Sequence, residues 1–200
     1  MSESREIILK KAFNLFLQKS FRDVTMKEIV NATGLSKGAF YHYFESKEQL
    51  YYEIIDKYYL ESLVTDFKKF SNDSLWNFYH DYIDFISKAI SNFLKELNKS
   101  HSEMNIDFIT IMFEALRIFP GFRDRLIKMQ SDELKAWTKI VKAARKNGEF
   151  SSPMTNEQIA RFFIYTNDGI ALRLLLEGNI EKTKSEMLKL WDNFYTELKD

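Results

Sequence analysis

Cysteine is absent from this chain of 200 residues, so neither a disulfide framework nor a thiolate-bound metal is open to it. Three scattered histidines do not supply a structural zinc site in its place. Proline occurs twice and glycine six times, which leaves long stretches without a residue that ends a helix. No uncharged run approaches the roughly 20 residues that span a bilayer. The opening MSESREIILKK lacks the charged, then apolar, then small order of a secretory signal. These absences lead to the expectation of a soluble, cytoplasmic protein that stays off membranes. Net charge is absent too, with 29 basic and 29 acidic residues, and a neutral chain is a weak argument against nucleic acid. The distribution points the other way: residues 1–47 hold eight Lys/Arg against five Asp/Glu, an excess of three positive charges.

What is present is helical pattern. With 45% hydrophobic residues the chain can bury a core, and those residues recur at helical spacing. Ile8, Ala12, Leu15 and Phe16 make one stripe before Arg22. Thr25-Met-Lys-Glu28, Ser46-Lys-Glu-Gln49 and Thr155-Asn-Glu-Gln158 each read as a capping box, in which two side chains satisfy orphan backbone N–H groups at a helix start. Pro120-Gly121, Asn147-Gly148 and Gly178 read as helix ends. The fold class is all-α with about nine helices, divided near Ser46 into a segment 1–46 and a larger segment 47–200. From Asp73 to Leu97, Trp76, Tyr79, Ile83, Ile86, Ile90, Phe93 and Leu97 share one face and Phe78 and Phe85 the opposite one, the pattern of a helix inside a bundle.

The stretch TMKEIVNATGLSKGAFYHYFESKEQL concentrates the informative chemistry. Ile29 and Val30 pack a short helix inward, Gly34 supplies a turn at positive φ, Leu35 plugs the turn, and Ser36 caps a second short helix from Lys37 to about Tyr43. Phe40 and Phe44 face the core, which leaves Lys37, Gly38, Ala39, Tyr41, His42 and Tyr43 outside. This is helix-turn-helix arithmetic, and such a helix enters the major groove by its N-terminal residues. Gly38 and Ala39 let backbone approach base edges, and Lys37 can donate to guanine. Tyrosine hydroxyls and a lysine at the next helix start suit phosphate oxygens. Turn glycines are common in helical proteins, but here capping box, turn, short helix and the SKEQL helix start occur together.

On those residues, with the preceding helix Ile8–Leu17, the first fifty or so positions resemble the TetR family of transcriptional regulators. Val30 and Thr33 stand where that pattern usually has alanine. Beyond them the resemblance is limited to helix order, length and the stretch YTNDGIALRLLLEG. The resemblance implies a helix-turn-helix DNA-binding domain at 1–46 and an effector-binding and dimerisation domain at 47–200. It implies a homodimer on palindromic double-stranded operator DNA, most often a repressor released by a small apolar or aromatic effector, and no cofactor. By position, Lys37, Gly38 and Ala39 fall where bases are read. Thr25, Ser36, Tyr41, Tyr43 and Lys47 fall where phosphates are held, and His42 at a variable position.

Eighteen Phe, ten Tyr and three Trp give unusual aromatic content, much of it between Trp76 and Trp137. Candidate effector-lining residues are Phe67, Trp76, Tyr79, Phe108, Met112, Phe113, Trp137 and Tyr165, although aromatics at helical spacing are first of all core. Asp168 could meet a cationic effector. Apolar surface on Ile159–Leu176 and Met187–Leu198 suggests a two-fold interface involving Gly169, Leu174, Leu190, Trp191 and Phe194. One continuous helix from Ser46 to about Phe70, carrying Leu50, Ile54, Tyr58, Leu63 and Phe67, is expected to join the two functions. His80 and Asp84, four apart, lack a third metal ligand, so no metal is expected. The rival readings are a helical enzyme and a ligand-binding bundle without DNA-binding activity. For the enzyme no nucleophile–base pair stands out, and Asp107 and Glu114 have no evident partner.

Overall fold

The computed structural model describes residues 3–61 and 65–199. Among them are nine α-helices and no strand: α1 (Glu3–Gln18), α2 (Met26–Thr33), α3 (Lys37–Tyr41), α4 (Lys47–Ile55), α5 (Leu75–Leu97), α6 (Asp107–Ile118), α7 (Pro120–Lys146), α8 (Asn156–Glu177) and α9 (Thr183–Lys199). Short 3₁₀ turns at Phe67–Lys69, His101–Glu103 and Ile180–Lys182 lie between them.

Local chemistry sets most boundaries. Thr25 and Glu28 form the reciprocal cap at the start of α2, and Thr155 and Gln158 do so for α8. Gly34 ends α2 at φ 71°, a left-handed conformation that a side chain disfavours. Pro120 opens α7, where its missing N–H has no intrahelical partner to lose. At α4 the expected box is shifted: the Ser46 hydroxyl accepts the Gln49 N–H at 3.1 Å, but the Gln49 side chain accepts from the N–H of Glu45, at 2.9 Å. Helix α3 is shorter than the expected Lys37 to about Tyr43, ending at Tyr41 with His42 as its cap.

The helix expected from Ser46 to Phe70 is not continuous. Its α-helical part ends at Ile55, π-type turns carry the chain over Asp56–Glu61, and Phe67 lies on a separate 3₁₀ turn. Leu63 lies outside the described residues. A wider turn rotates side chains off the 3.6-residue period, so spacing alone misplaced the end.

By packing, the chain forms two compact units: Met1–Val64 with Ile106–Arg125, and Thr65–Asn105 with Leu126–Asp200. In the first, Ile8, Phe13, Phe16, Ile29, Phe40, Phe44, Leu50, Tyr51, Ile54, Ile111 and Ala115 are buried. Helices α4 and α6 both pack on α1 there, so the position near Ser46 falls inside a packed unit. In the second, α9 packs on α5 and α8 around an aromatic core of Phe78, Tyr79, Tyr82, Trp137, Phe163 and Trp191. Trp137 stacks on Phe163 at 4.9 Å and meets Phe78 edge-on at 5.0 Å. The inward arc of α5 is centred on Phe78, Tyr79, Tyr82 and Ile83, which leaves Trp76 at 37% exposure.

Candidate nucleic-acid interface

The exposed surface of α2, the turn and α3 is built by what those elements hide. Phe40 and Phe44 are fully buried and pin α3 against the first unit's core. That fixes Lys37, Gly38, Ala39, Tyr41 and His42 on the open side, where all five are exposed, with Tyr43 half-buried beside them. The Ser36 hydroxyl caps α3 by accepting the Ala39 N–H at 3.2 Å. The Lys37 ammonium lies 6.0 Å from the Tyr41 ring, one turn along the same face. A Cβ on Gly38 would meet nothing within 4 Å, and its φ is not positive. Nothing inside the chain therefore calls for glycine at a helical position that favours alanine by roughly 0.5–1 kcal/mol. The bare backbone is open to whatever approaches from outside.

Thr25 is exposed at the start of α2, its hydroxyl accepting the Glu28 N–H at 3.2 Å and donating to the Glu28 carboxylate at 2.9 Å. Lys19 donates to the same carboxylate at 2.6 Å. These bonds, Lys19 first and Thr25 next, hold the Glu28 carboxyl down to about 2, so it stays ionised as a cap. Two exposed cations that motif spacing does not single out, Arg22 and Lys27, stand on either side of Thr25 in the chain. Their signal was their position in the basic first quarter of the sequence.

Lys47, which the resemblance puts where phosphates are held, has partners inside the chain. It is half-buried, and its ammonium donates to the carbonyls of Phe21 at 2.6 Å and Val24 at 2.7 Å, with Arg22 O at 3.5 Å. Glu114, without an evident partner in the sequence, accepts the Phe21 N–H at 3.1 Å and lies 3.3 Å from the Tyr51 hydroxyl.

Residues 8–54 match the sequence model described as "Bacterial regulatory proteins, tetR family". The chain belongs to the TetR family. Similarity extends beyond that segment: the chain is 28% identical to the uncharacterized HTH-type transcriptional regulator YfiR of Bacillus subtilis (strain 168), over 82% of this chain and 76% of that one. It is 26% identical, with the same coverage, to the HTH-type transcriptional repressor BepR of Brucella suis biovar 1 (strain 1330). Salmonella enterica GusR shares the fold at a TM-score of 0.61 and 22% identity, covering 99% of this chain and 97% of that one. This TetR-family chain is a transcriptional regulator, as the Bacillus and Brucella relatives are named.

The candidate effector residues are divided between the units. Phe108, Met112 and Phe113 belong to the first; Phe67, Trp76, Tyr79, Trp137 and Tyr165 belong to the second. Tyr79 and Trp137 are fully buried in the aromatic core, Phe108 is buried, and Phe113 and Tyr165 are more than half exposed. Met112 and Phe67 are half-buried. Trp76 lines an open groove of about 520 Å³ with Tyr195, Thr196 and Lys199. Within the second unit the Tyr82 hydroxyl donates to Glu133 at 3.0 Å, and Asn167 reaches the same hydroxyl at 3.4 Å. Burial, and then the charge of Asp168, raise the Glu133 carboxyl above the usual glutamate range; burial raises Asp168. The Trp137 indole N–H is buried without an acceptor. His80 and Asp84 turn to different partners, His80 to the Trp76 carbonyl at 2.8 Å and Asp84 to Lys184 at 2.6 Å. No described helix is long and apolar enough to cross a membrane.

Two interface candidates require correction. Leu174 is 6% exposed and Trp191 fully buried, so both face their own unit's core. Phe194 is half-buried and stacks on Phe162 at 3.7 Å. The outward face of α8 carries Tyr165, Gly169, Leu172 and Leu176 instead, and α9 adds Leu190. An apolar helix lacks the polar stripe that would reveal which side turns in.

Proposed function

We propose that this TetR-family regulator is a repressor that binds palindromic operator DNA as a homodimer and is released by a small, largely apolar or aromatic effector. In this reading residues 1–46 recognise DNA and residues 47–200 provide the effector and dimer functions. The observation that carries the reading is the exposed Lys37-Gly38-Ala39 face of α3, held outward by buried Phe40 and Phe44, with open space over Gly38. Lys37 reads guanine, Gly38 and Ala39 admit close approach, and Tyr41, His42, Tyr43, Ser36 and Thr25 meet backbone. The repressor role is supported by the similarity to BepR, the transcriptional repressor of Brucella suis. Effector binding is supported by the second unit's aromatic core, where a buried indole N–H lacks an acceptor beside the Tyr82–Glu133 pair.

DNase footprinting on the DNA directly upstream of the chain's coding sequence tests the reading. A palindromic protected region, with half-sites a whole number of helical turns apart, is the expected result. Absence of any specific footprint contradicts it. The dimer rests on the α8 stripe, where Leu172 is 47% and Leu176 64% exposed. Leu172→Glu adds a charge to that exposed face without touching the core. It is expected to sediment as a monomer at concentrations where the parent chain is a dimer. A variant that stays dimeric places the interface elsewhere.

A further inference from the structure

The turn between α1 and α2 is tied by its backbone from two directions. From α4, the Lys47 ammonium donates to Phe21 O at 2.6 Å and Val24 O at 2.7 Å, and lies 4.4 Å from the Phe21 ring centre. From α6, the Glu114 carboxylate accepts the Phe21 N–H at 3.1 Å. Tyr51 steadies that carboxylate: its hydroxyl is 3.3 Å from Glu114 and 3.1 Å from the Ile111 carbonyl, and its ring packs 4.8 Å from that of Phe21. One residue thus gives its carbonyl to α4 and its N–H to α6. Thr25, the cap that starts α2, follows directly after Val24.

An ammonium has three hydrogens to donate. Those of Lys47 are engaged by two short bonds and one longer one, inside the protein. Turning this group toward a phosphate would strip two backbone carbonyls of charge-assisted bonds at once. We propose that Lys47 and Glu114 are positioning residues for DNA binding, which lock the Phe21 turn and so set where α2 begins, Lys47 doing so without contacting phosphate. The inference rests on the DNA-binding reading above and departs from the phosphate role that family position implies for Lys47. It also brings α6, a helix outside the helix-turn-helix, into DNA affinity through one carboxylate.

The test uses the full chain as Lys47→Met, Glu114→Ala and Glu114→Gln. Amide hydrogen exchange over residues 21–25 is read without DNA, and anisotropy with a fluorescent duplex from the upstream region is read across a salt series. Lys47→Met and Glu114→Ala are expected to exchange roughly tenfold faster in that turn, the equivalent of one lost hydrogen bond. Both are expected to bind the duplex roughly tenfold more weakly, with log–log salt slopes parallel to the parent chain's. Glu114→Gln keeps an acceptor and is expected to behave as the parent. A Lys47→Met slope shallower by about 0.9 per subunit is the mark of a lost phosphate contact and overturns the proposal, whatever the exchange shows. Unchanged exchange in Lys47→Met and Glu114→Ala overturns it as well. If the parent chain binds no DNA, the regulator reading fails, while exchange still decides whether the lock exists.

Discussion

In the unit built on α1–α4 and α6, the turn before α2 is set by single polar contacts to backbone, beside a ring cluster of Phe16, Phe21 and Tyr51; in the unit containing α5, α8 and α9 the core is centred on the rings around Trp137. The first sets its turn with Lys47, Glu114 and Tyr51, each bonded to a particular backbone atom or to each other. The second surrounds Trp137 with the rings of Phe78, Tyr82, Phe163 and Trp191, all between 4.9 and 5.6 Å away. A hydrogen bond is sensitive to angle and holds an element in one orientation. A cluster of rings contributes stability through area and tolerates repacking. Under the proposed function, the contrast suits a surface that presents fixed donors to DNA in one unit, and a core that accommodates a small molecule in the other.

The contrast can be broken by truncating each unit's central group. Trp137→Ala removes a fully buried ring and is expected to cost about 3–5 kcal/mol, read as a lower denaturant midpoint. A loss below about 1 kcal/mol would mean that the aromatic core is not what holds the second unit. Tyr51→Phe keeps the ring and removes only its hydroxyl, leaving the Ile111 carbonyl and Glu114 without that donor. The expected cost is about 1–3 kcal/mol, smaller than the first. If Tyr51→Phe proves the costlier of the two, the assignment of polar and aromatic roles is reversed.

The smallest effect is a pH dependence in the second unit. Burial raises the Glu133 carboxyl, so the folded chain holds a proton that the unfolded chain has released. Its contribution is fully present below the ordinary value of 4.5 and is lost as pH rises through the raised value. Stability should therefore fall as pH is raised from the ordinary range through that window, and Glu133→Gln should flatten the fall. Asp168, raised in the same direction, keeps part of the slope in the variant. Denaturant midpoints at stepped pH read the difference, and an identical slope in parent and variant removes Glu133 from the account.

How far the sequence could be read follows the same division. Helix starts were legible because a cap is made by residues three apart, as at Thr25–Glu28 and Thr155–Gln158. The outward face of α3 was legible because Phe40 and Phe44 fix its phase. The internal partners of Lys47 and Glu114 were not, because the Phe21 carbonyl is 26 positions from Lys47 and Glu114 lies 93 positions from the N–H it accepts. The phase of α8 was not legible either, since Leu172 and Leu174 are alike in chemistry and only packing turns one out and the other in. The end of α4 was hidden by π-type turns that no spacing rule anticipates. Aromatic content pointed to a rich core without dividing its rings between two units.

The central claim is that the exposed face of α3 reads DNA sequence, and Lys37 tests it most directly. The measurement is the affinity of the parent chain and of Lys37→Ala for the footprinted operator and for each single-base variant of one half-site. The account predicts that Lys37→Ala loses roughly 1–3 kcal/mol of discrimination at one base pair per half-site and keeps it at the others. Undiminished discrimination at every position would contradict it, because the cation at the head of α3 would then read no base.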